Sequence, residues 1–317
     1  MAARFATTSL LLCLHFRMSG SLVTLQGSVS KVLDEASDNV VSVTEEEVQP
    51  RLQVTGVNEL LCPVQRKALR SAFMVLKRLY TEFNWTRYPR DCALVSNSGV
   101  LLNHKHGAEI DAAELVIRFN DAEIGSSWRD NVGVRDDIRI LNAGFNTELF
   151  DITHPRLDMR NDTLYVLQRV YPFESGGMQL YAQIQKNMEA VPWHIVADSS
   201  NNAELVAKLV VRTAFGGKIP EATLTTGTIG GMMALALCEE VRAYGFPETS
   251  DSQNAPFHYY GELQYGSASN NSRHVSASAE KMLWRTLATN ADVESTAVAV
   301  VPGFSKLNCS SSTVGDN

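Results

Sequence analysis

The chain alternates short apolar segments of strand character with longer segments of helical periodicity. Parallel strands that are buried on both faces are continuously apolar, and helices connect them. The alternation therefore predicts an α/β fold, an α/β/α sandwich around a mainly parallel sheet. Predicted strands cover 93–96, 115–120, 138–142, 163–169, 194–198, 241–246 and 297–301, and predicted helices cover 63–80, 178–190, 203–214, 229–238 and 279–289.

The composition argues against two classes of function, nucleic-acid binding and metal binding through thiolates. With 317 residues and 44% hydrophobic content, the chain can bury one sizeable core. A net charge of −7 without clustered Lys and Arg argues against a nucleic-acid partner. The five cysteines include no CxxC pair, which argues against a thiolate metal site.

The N-terminal residues predict targeting to the secretory pathway. Residues 1–21 combine a basic start with a short apolar run, which is typical of a signal peptide or short signal-anchor; a transit peptide is the rival interpretation. We expect a polar stem over 22–56, a catalytic domain over 57–305 and a tail over 306–317. Sequons at Asn84, Asn161, Asn270 and Asn308 are compatible with secretion.

Two turns carry candidate binding chemistry. Asn97-Ser98-Gly99 follows an apolar strand, where ligands of α/β sheets usually bind, and the amide of Asn97 can recognise a base or a ribose. An ordinary strand-to-helix turn is the alternative, because it favours the same residue types.

The second turn, Thr225 to Thr228, precedes an apolar helix. A phosphate or carboxylate at the Gly227 end would satisfy the first N–H groups of that helix. Alternatively, the hydroxyl of Thr226 or Thr228 caps the helix.

Four segments resemble the motifs of the eukaryotic sialyltransferases (glycosyltransferase family 29), in the order of that family. Residues 92–135 resemble its long donor-binding motif and residues 224–246 its short motif. His258-Tyr259-Tyr260-Gly261 matches the third motif, and His274 with Glu280 matches the last. In the long motif the matching residues are Cys92, Asn97-Ser98-Gly99, Gly107, Ile110-Asp111, Val116 to Asn120, Ala122, Asp130, Val132-Gly133 and Arg135.

The resemblance implies an enzyme with a GT-A-like, Rossmann-type α/β/α sandwich. Such an enzyme transfers a sialic acid from CMP-sialic acid to a glycan hydroxyl, on a glycoprotein or glycolipid, with inversion. No metal or other cofactor is expected, and Asp136-Asp137 lacks the Asp-x-Asp pattern of metal-dependent relatives. The implied location is the Golgi lumen, as a single-pass type II membrane protein or a secreted protein.

The resemblance also predicts the donor site. Asn97 and Asn120 would contact the CMP group, with Ser98, Gly99 and the turn at Thr226 and Gly227 close to it. Cys92 and Cys238 would form the disulfide between the two donor motifs. If Cys13 belongs to a removed or membrane-embedded segment, Cys62 and Cys309 are left over; we predict a second disulfide, the alternative being two unpaired thiols.

Two histidines are the candidate catalytic residues. An acceptor hydroxyl is a poor nucleophile at neutral pH, so a side chain that titrates near 6.5 is suited to take its proton, and we assign that role to His274. By resemblance, His258 stabilises the charge on the departing phosphate, with Tyr259 and Tyr260 as helpers. The alternative is a surface or structurally satisfied histidine, and a His-Tyr-Tyr triplet that packs as part of a loop.

One departure from the family pattern bears on activity. Five residues separate His274 from Glu280 where four are usual, and in a helix one extra residue turns a side chain by about 100°. A bulge before the helix could absorb the insertion. Two alternatives to sialyl transfer follow: transfer of another CMP-linked keto-sugar acid (Kdo or Kdn), or a catalytically inactive sialyltransferase-like binding protein.

Overall fold

A seven-stranded sheet forms the centre of the computed structural model, which describes residues 52–142, 160–168, 194–197, 202–217, 224–261 and 277–309. The strand order is β5-β4-β3-β2-β1-β6-β7, and every neighbouring pair is parallel except the antiparallel pair β6 and β7. The strands are β1 Asp91–Val95, β2 Leu115–Phe119, β3 Ile138–Asn142, β4 Leu164–Gln168, β5 His194–Ala197, β6 Glu240–Tyr244 and β7 Val298–Pro302.

Helices connect the strands. The α-helices are α1 Val57–Leu61, α2 Gln65–Ser71, α3 Phe73–Glu82, α4 Gly107–Ala112, α5 Arg129–Val132, α6 Asn202–Ala214, α7 Thr226–Leu237, α8 Ala277–Leu287 and α9 Val293–Thr296. Short 3-10 helices cover Cys62–Val64, Gly99–Asn103, Ser250–Gln253 and Phe304–Lys306.

The central strands are apolar because both faces of the sheet are covered. On one face a large core contains buried side chains of α2, α6, α7 and α8, and on the other a smaller core contains those of α4 and α5. Every residue of β2 is buried. The predicted α/β sandwich with a mainly parallel sheet is thus the observed fold.

The predicted strands are confirmed to within one or two residues at each end, but one predicted helix is wrong in detail. The segment 63–80 is not a continuous helix, because α2 ends at Ser71 and α3 begins at Phe73. The periodicity predicted a buried face on this segment; Ala72 and Leu79 of that face are buried, whereas Phe73 is 63% exposed. The predicted helix 178–190 lies outside the described residues.

Helix α7 packs closely against the sheet and against helix α8 at two glycines. A Cβ atom on Gly230 would lie 2.5 Å from Cε1 of Phe119, and one on Gly231 would lie 2.2 Å from Cζ2 of Trp284. Such contacts are far inside normal van der Waals separation. Glycine is therefore required where α7 meets strand β2 and helix α8.

Two disulfides tie distant parts of the described chain together. Cys92 in β1 is bonded to Cys238, which follows α7, and both are fully buried. Cys62 is bonded to Cys309 across a sequence separation of 247 residues. Both predicted pairs are present.

Asp136 and Asp137 belong to the framework of the sheet, just before β3. Asp136 forms a buried ion pair with Arg139 at 2.6 Å, and Asp137 accepts a hydrogen bond from the backbone N–H of Val116 at 2.8 Å. Burial raises the pKa of Asp137, and the charge of Arg135 opposes this effect. Each carboxylate therefore has a structural partner through its Oδ2 atom.

Candidate functional site

The first predicted turn lies at the carboxyl edge of the sheet. Because β1 is parallel to both β2 and β6, the segments that follow these three strands meet at one edge. Asn97 to Gly99 follow β1, Asn120 follows β2, and Gly245-Phe246 follow β6. The sheet thereby collects residues that are far apart in sequence.

The turn after β1 is built by local hydrogen bonds. The hydroxyl oxygen of Ser98 accepts from the N–H of Val100 at 3.4 Å and so caps the following 3-10 helix. Gly99 donates its N–H to the carbonyl of Pro256 at 3.1 Å. A Cβ atom on Gly99 would lie 2.2 Å from that carbonyl oxygen. Glycine is needed here because another backbone segment approaches it.

That segment is the third motif. Ser98 and His258 form an antiparallel bridge, and the N–H of Tyr259 donates to the carbonyl of Asn97 at 3.0 Å. The loop 256–260 is therefore hydrogen-bonded directly to the turn 97–99. The sequence indicated the long motif and the third motif, but not that their backbones are hydrogen-bonded to each other.

The side chain of Asn97 is held by a short hydrogen-bonded chain. Its Nδ2 atom lies 2.8 Å from the hydroxyl of Tyr260, and that hydroxyl lies 2.9 Å from Oδ1 of Asp121. Oδ1 of Asn97 is buried and has no hydrogen-bond partner among the described residues. Burial, followed by the charge of Asp121, raises the pKa of Tyr260 far above its ordinary value, so the phenol stays protonated.

His258 stacks on the same tyrosine. The ring centroids of His258 and Tyr260 are 5.2 Å apart with an angle of 5° between the planes, and the ring of Phe257 lies 4.5 Å from the imidazole. Burial lowers the pKa of His258, and the nearby charge of Asp121 partly opposes this. The imidazole is therefore neutral at pH 7, and a neutral imidazole can still donate one N–H.

Tyr259 points into the protein core. It is fully buried, its hydroxyl donates to the carbonyl of Glu123 at 2.8 Å, and its ring packs edge-on against Trp128. The structure gives Tyr259 a packing role, which the alternative interpretation of the His-Tyr-Tyr triplet anticipated. Its contact with a donor stays a prediction.

Asn120 adopts a left-handed backbone conformation, with φ of 47°, directly after β2. Its Oδ1 accepts from the N–H of Asn142 at 3.0 Å, and its carbonyl accepts from Nη1 of Arg139 at 2.9 Å. These bonds fix the orientation of the side-chain amide at the edge of the sheet. The Nδ2 group is then the part of this amide that remains to donate to a ligand.

The second turn is the start of α7, and its cap differs from the prediction. Thr225 caps the helix, since its hydroxyl oxygen accepts from the N–H of Thr228 at 3.2 Å. Neither Thr226 nor Thr228 is the cap. The first N–H groups of a helix have no acceptor within it, so this end of α7 suits a negatively charged group.

The two turns lie near each other through the segment after β6. A Cβ atom on Gly227 would lie 3.2 Å from Cε1 of Phe246, and one on Gly245 would lie 2.5 Å from Oγ of Ser96. Phe246 also packs edge-on against Phe119, the last residue of β2. One edge of the sheet thus holds both predicted donor turns.

Glu280 contacts the second turn in spite of its altered spacing from His274. Its carboxylate accepts from the N–H of Thr225 at 3.1 Å and also bonds the hydroxyl of the same residue. Only 3% of Glu280 is exposed. Glu280 therefore supports the start of α7, a contact that spacing alone could not indicate. His274 lies outside the described residues.

Arg118, a residue of the long motif, is structural. It is fully buried, and its guanidinium donates to the carbonyls of Arg135 at 2.7 Å and Val132 at 2.5 Å. Burial lowers its pKa. The side chain holds the turn before β3 against β2.

In the described part of the chain, no group of three or more His, Cys, Asp or Glu side chains is placed to hold a metal ion. None of the helices described is both long and apolar enough to cross a membrane.

The fold and site define an α/β protein with a candidate nucleotide site built from two turns at the carboxyl edge of its sheet. The family model of glycosyltransferase family 29 (sialyltransferase) matches residues 42–291. The chain therefore belongs to glycosyltransferase family 29.

Two known proteins are similar to the chain in sequence. Over 239 residues the chain is 26% identical to beta-galactoside alpha-2,6-sialyltransferase 2 of Rattus norvegicus, which covers 69% of this chain and 43% of the relative. Over 283 residues it is 24% identical to the protein of the same name from Homo sapiens, covering 79% and 51%. The chain spans about half the length of these relatives.

Two solved structures match parts of the chain at low identity. One is a mammalian sialyltransferase, 21% identical, with a TM-score of 0.38 over 68% of this chain and 77% of that chain. The other is a mammalian sialyltransferase in complex with Gal-beta-1-3GalNAc-ortho-nitrophenol, 19% identical, with a TM-score of 0.39 over 74% and 89%. The fold assignment rests on the strand order and pairing of this chain.

Proposed function

We propose that the protein is an inverting sialyltransferase that moves a sialic acid from CMP-sialic acid to a hydroxyl group of a glycan acceptor, without a metal cofactor. Membership in glycosyltransferase family 29 supports the reaction class. The observation that carries the proposal is the convergence of three predicted elements at one edge of the sheet. These are the Asn97 turn, the His258 loop and the start of α7.

The chemistry of that edge suits a nucleoside monophosphate. The side-chain amide of Asn97 and the Nδ2 of Asn120 provide fixed polar groups for the nucleoside. The N–H groups of Thr226 and Gly227, at the positive end of the α7 dipole, suit a phosphate. His258 would donate an N–H to the phosphate oxygen on which charge collects as CMP leaves.

The proposed transfer is a single displacement. The acceptor oxygen bonds to the anomeric carbon of the sialic acid while the bond between that carbon and the phosphate oxygen of CMP breaks. The electron pair of the broken bond leaves with CMP, and the proton of the acceptor hydroxyl passes to His274. Attack opposite to the leaving group inverts the configuration. A base at this position typically contributes 10² to 10⁴ in rate.

The proposed domain layout follows from the sequence and keeps the same boundaries. Residues 1–21 would direct the chain to the secretory pathway, 22–56 would form a stem, and the catalytic domain would act in the Golgi lumen. Two disulfides in the described residues support an oxidising compartment. N-terminal sequencing of the secreted or membrane-bound protein would establish whether residues 1–21 are removed, and recovery of the protein in the cytosol would contradict the proposal.

The function is tested by measuring transfer from CMP-Neu5Ac, CMP-Kdn and CMP-Kdo to a panel of glycans. We expect transfer from CMP-Neu5Ac, a loss of about 100-fold or more in kcat for His274→Ala, and little change for His104→Gln. His104 is a matched control because it is a half-buried histidine with no assigned role. Transfer that His274→Ala does not affect would remove the proposed base.

The same assay separates the alternatives. Turnover of only CMP-Kdo or CMP-Kdn would change the donor class. Binding of CMP without any turnover would indicate a silent relative, whereas neither binding nor turnover would overturn the proposed function.

A further inference from the structure

The phenol of Tyr260 links the segments that follow β1 and β2. The hydroxyl of Tyr260 lies between Nδ2 of Asn97, at 2.8 Å, and Oδ1 of Asp121, at 2.9 Å. An ionised carboxylate only accepts hydrogen bonds, so the phenol donates to Asp121 and must accept from Asn97. This direction fixes which end of the Asn97 amide faces Tyr260.

The ring of the same residue supports the imidazole. The rings of His258 and Tyr260 are stacked and nearly parallel, with 5° between the ring planes. The backbone bridge between Ser98 and His258 limits movement of the loop, but it leaves rotation of the imidazole to side-chain contacts. Phe257 contacts the imidazole at an angle of 31°. Of these two rings, that of Tyr260 is the one that stacks parallel to the imidazole of His258.

We propose that Tyr260 is a positioning residue that sets the orientation of both the Asn97 amide and the His258 imidazole in the donor site. The hydroxyl performs the first task and the ring performs the second. This inference rests on the proposed function, because it assigns both oriented groups to the nucleotide donor. Asp121 takes part by holding the phenol in the direction that makes it an acceptor for Asn97.

Tyr259 does not share this role. Its hydroxyl donates to the carbonyl of Glu123, and its ring meets that of Tyr260 at 68° in an edge contact. Tyr259 therefore anchors the loop to the protein core and orients neither the Asn97 amide nor the His258 imidazole. The two adjacent tyrosines of the motif thus have different tasks, although a sequence pattern treats them alike.

The two tasks can be separated by two substitutions. Tyr260→Phe removes the hydroxyl and keeps the ring, and Tyr260→Leu removes both. Tyr88→Phe is the control, because the Tyr88 hydroxyl also donates a hydrogen bond, in its case to the buried carbonyl of Ala236, outside the site. CMP affinity is measured by calorimetry, and the His258 imidazole is titrated by NMR, with its signal assigned through His258→Gln.

We expect Tyr260→Phe to weaken CMP binding about 5- to 30-fold, the loss of roughly one buried hydrogen bond. The titration of His258 should stay near that of the wild type. Tyr260→Leu should weaken CMP binding at least as much and move the His258 pKa upward toward its ordinary value, because the ring that shields the imidazole from water is gone. Tyr88→Phe should change neither measurement.

Wild-type CMP affinity in Tyr260→Phe would overturn the role of the hydroxyl. An unchanged His258 titration in Tyr260→Leu would overturn the role of the ring. If Tyr260→Leu does not fold, Tyr260→Met gives the same comparison with a side chain closer in volume. If the wild type binds no CMP, the proposed function fails, while the His258 titrations still decide whether Tyr260 orients the imidazole.

Discussion

Gly99 lies where two backbone segments touch, and its lack of a side chain is what permits the contact. The carbonyl oxygen and Cγ of Pro256 would lie 2.2 and 2.5 Å from an added Cβ atom. The first of these is a backbone atom, so the clash cannot be relieved by rotating a side chain. The loop that carries His258 would have to move.

We expect Gly99→Ala to reduce the free energy of unfolding by about 1–3 kcal/mol, as overpacking in a tight region does. CMP affinity should fall as well, because the loop and the turn separate. Gly125→Ala is the control, since a Cβ atom there would meet nothing within 4 Å. Urea unfolding measures both variants; equal stability of the two would contradict the proposed contact.

His258 makes stability depend on pH. Its pKa is lowered in the folded protein by burial, so below about 6.5 the unfolded chain binds a proton that the folded protein does not. Stability is therefore greatest above the unfolded pKa and is lost as the pH falls through that value toward the folded pKa.

We expect His258→Phe to lose less stability than the wild type between pH 7.5 and pH 5.0. Phenylalanine keeps a ring stacked on Tyr260 and has no titratable group. Urea unfolding of both proteins at the two pH values gives the difference, in which the contributions of all other groups cancel. A larger or equal loss in the variant would show that His258 is not buried in its neutral form.

At the scale of elements, helix α8 is fastened to the first turns of α7. Glu280 bonds the cap residue Thr225, and one helical turn later the indole of Trp284 donates to the hydroxyl of Thr228 at 3.4 Å. Trp284 also covers Gly231. Helix α8 follows the segment that contains His274, so the support of the second donor turn and the candidate base belong to adjoining parts of the chain.

We expect Glu280→Gln and Thr225→Val each to cost about 1–3 kcal/mol in stability, because each leaves a buried polar partner incompletely bonded. The double variant should cost less than the sum, since the two side chains share one interaction. Urea unfolding of the wild type and the three variants gives the free energies for this double-mutant cycle. Strict additivity would mean that the pair does not interact.

At the scale of the whole molecule, the two disulfides differ in burial. Cys92 and Cys238 are 0% exposed, whereas Cys62 is 7% exposed and Cys309 lies half-buried near the end of the described residues. Cys92–Cys238 also joins the strand that leads into the first turn to the end of the helix that begins at the second. It therefore links, at their far ends, the two elements that carry the predicted donor turns.

We expect increasing dithiothreitol to reduce Cys62–Cys309 before Cys92–Cys238, because reduction needs access to sulfur. Replacing Cys92 and Cys238 together by alanine should cost about 2–5 kcal/mol and weaken CMP binding. Alkylation followed by peptide mass spectrometry reports the order of reduction. Simultaneous reduction of both bonds would indicate that global unfolding, not local exposure, controls access.

Much of the fold could be predicted because its signals are local. Apolar runs such as those at β1 and β2 report burial on both faces, and the residues Thr225 to Thr228 marked the start of α7, which begins three residues before the predicted helix. The break between α2 and α3 could not be predicted in this way. Periodicity records which face of a segment is buried, and the buried face continues past the break.

The sequence by itself indicated the α/β class, the positions of the strands along the chain, the two glycine-containing turns and the family motifs, since these depend on residue types and spacing along the chain. Only the tertiary structure decided that Tyr260 orients Asn97 and that Glu280 holds Thr225. These contacts join residues 163 and 55 positions apart. Their geometry depends on how strands and helices pack, and spacing along the chain does not encode it.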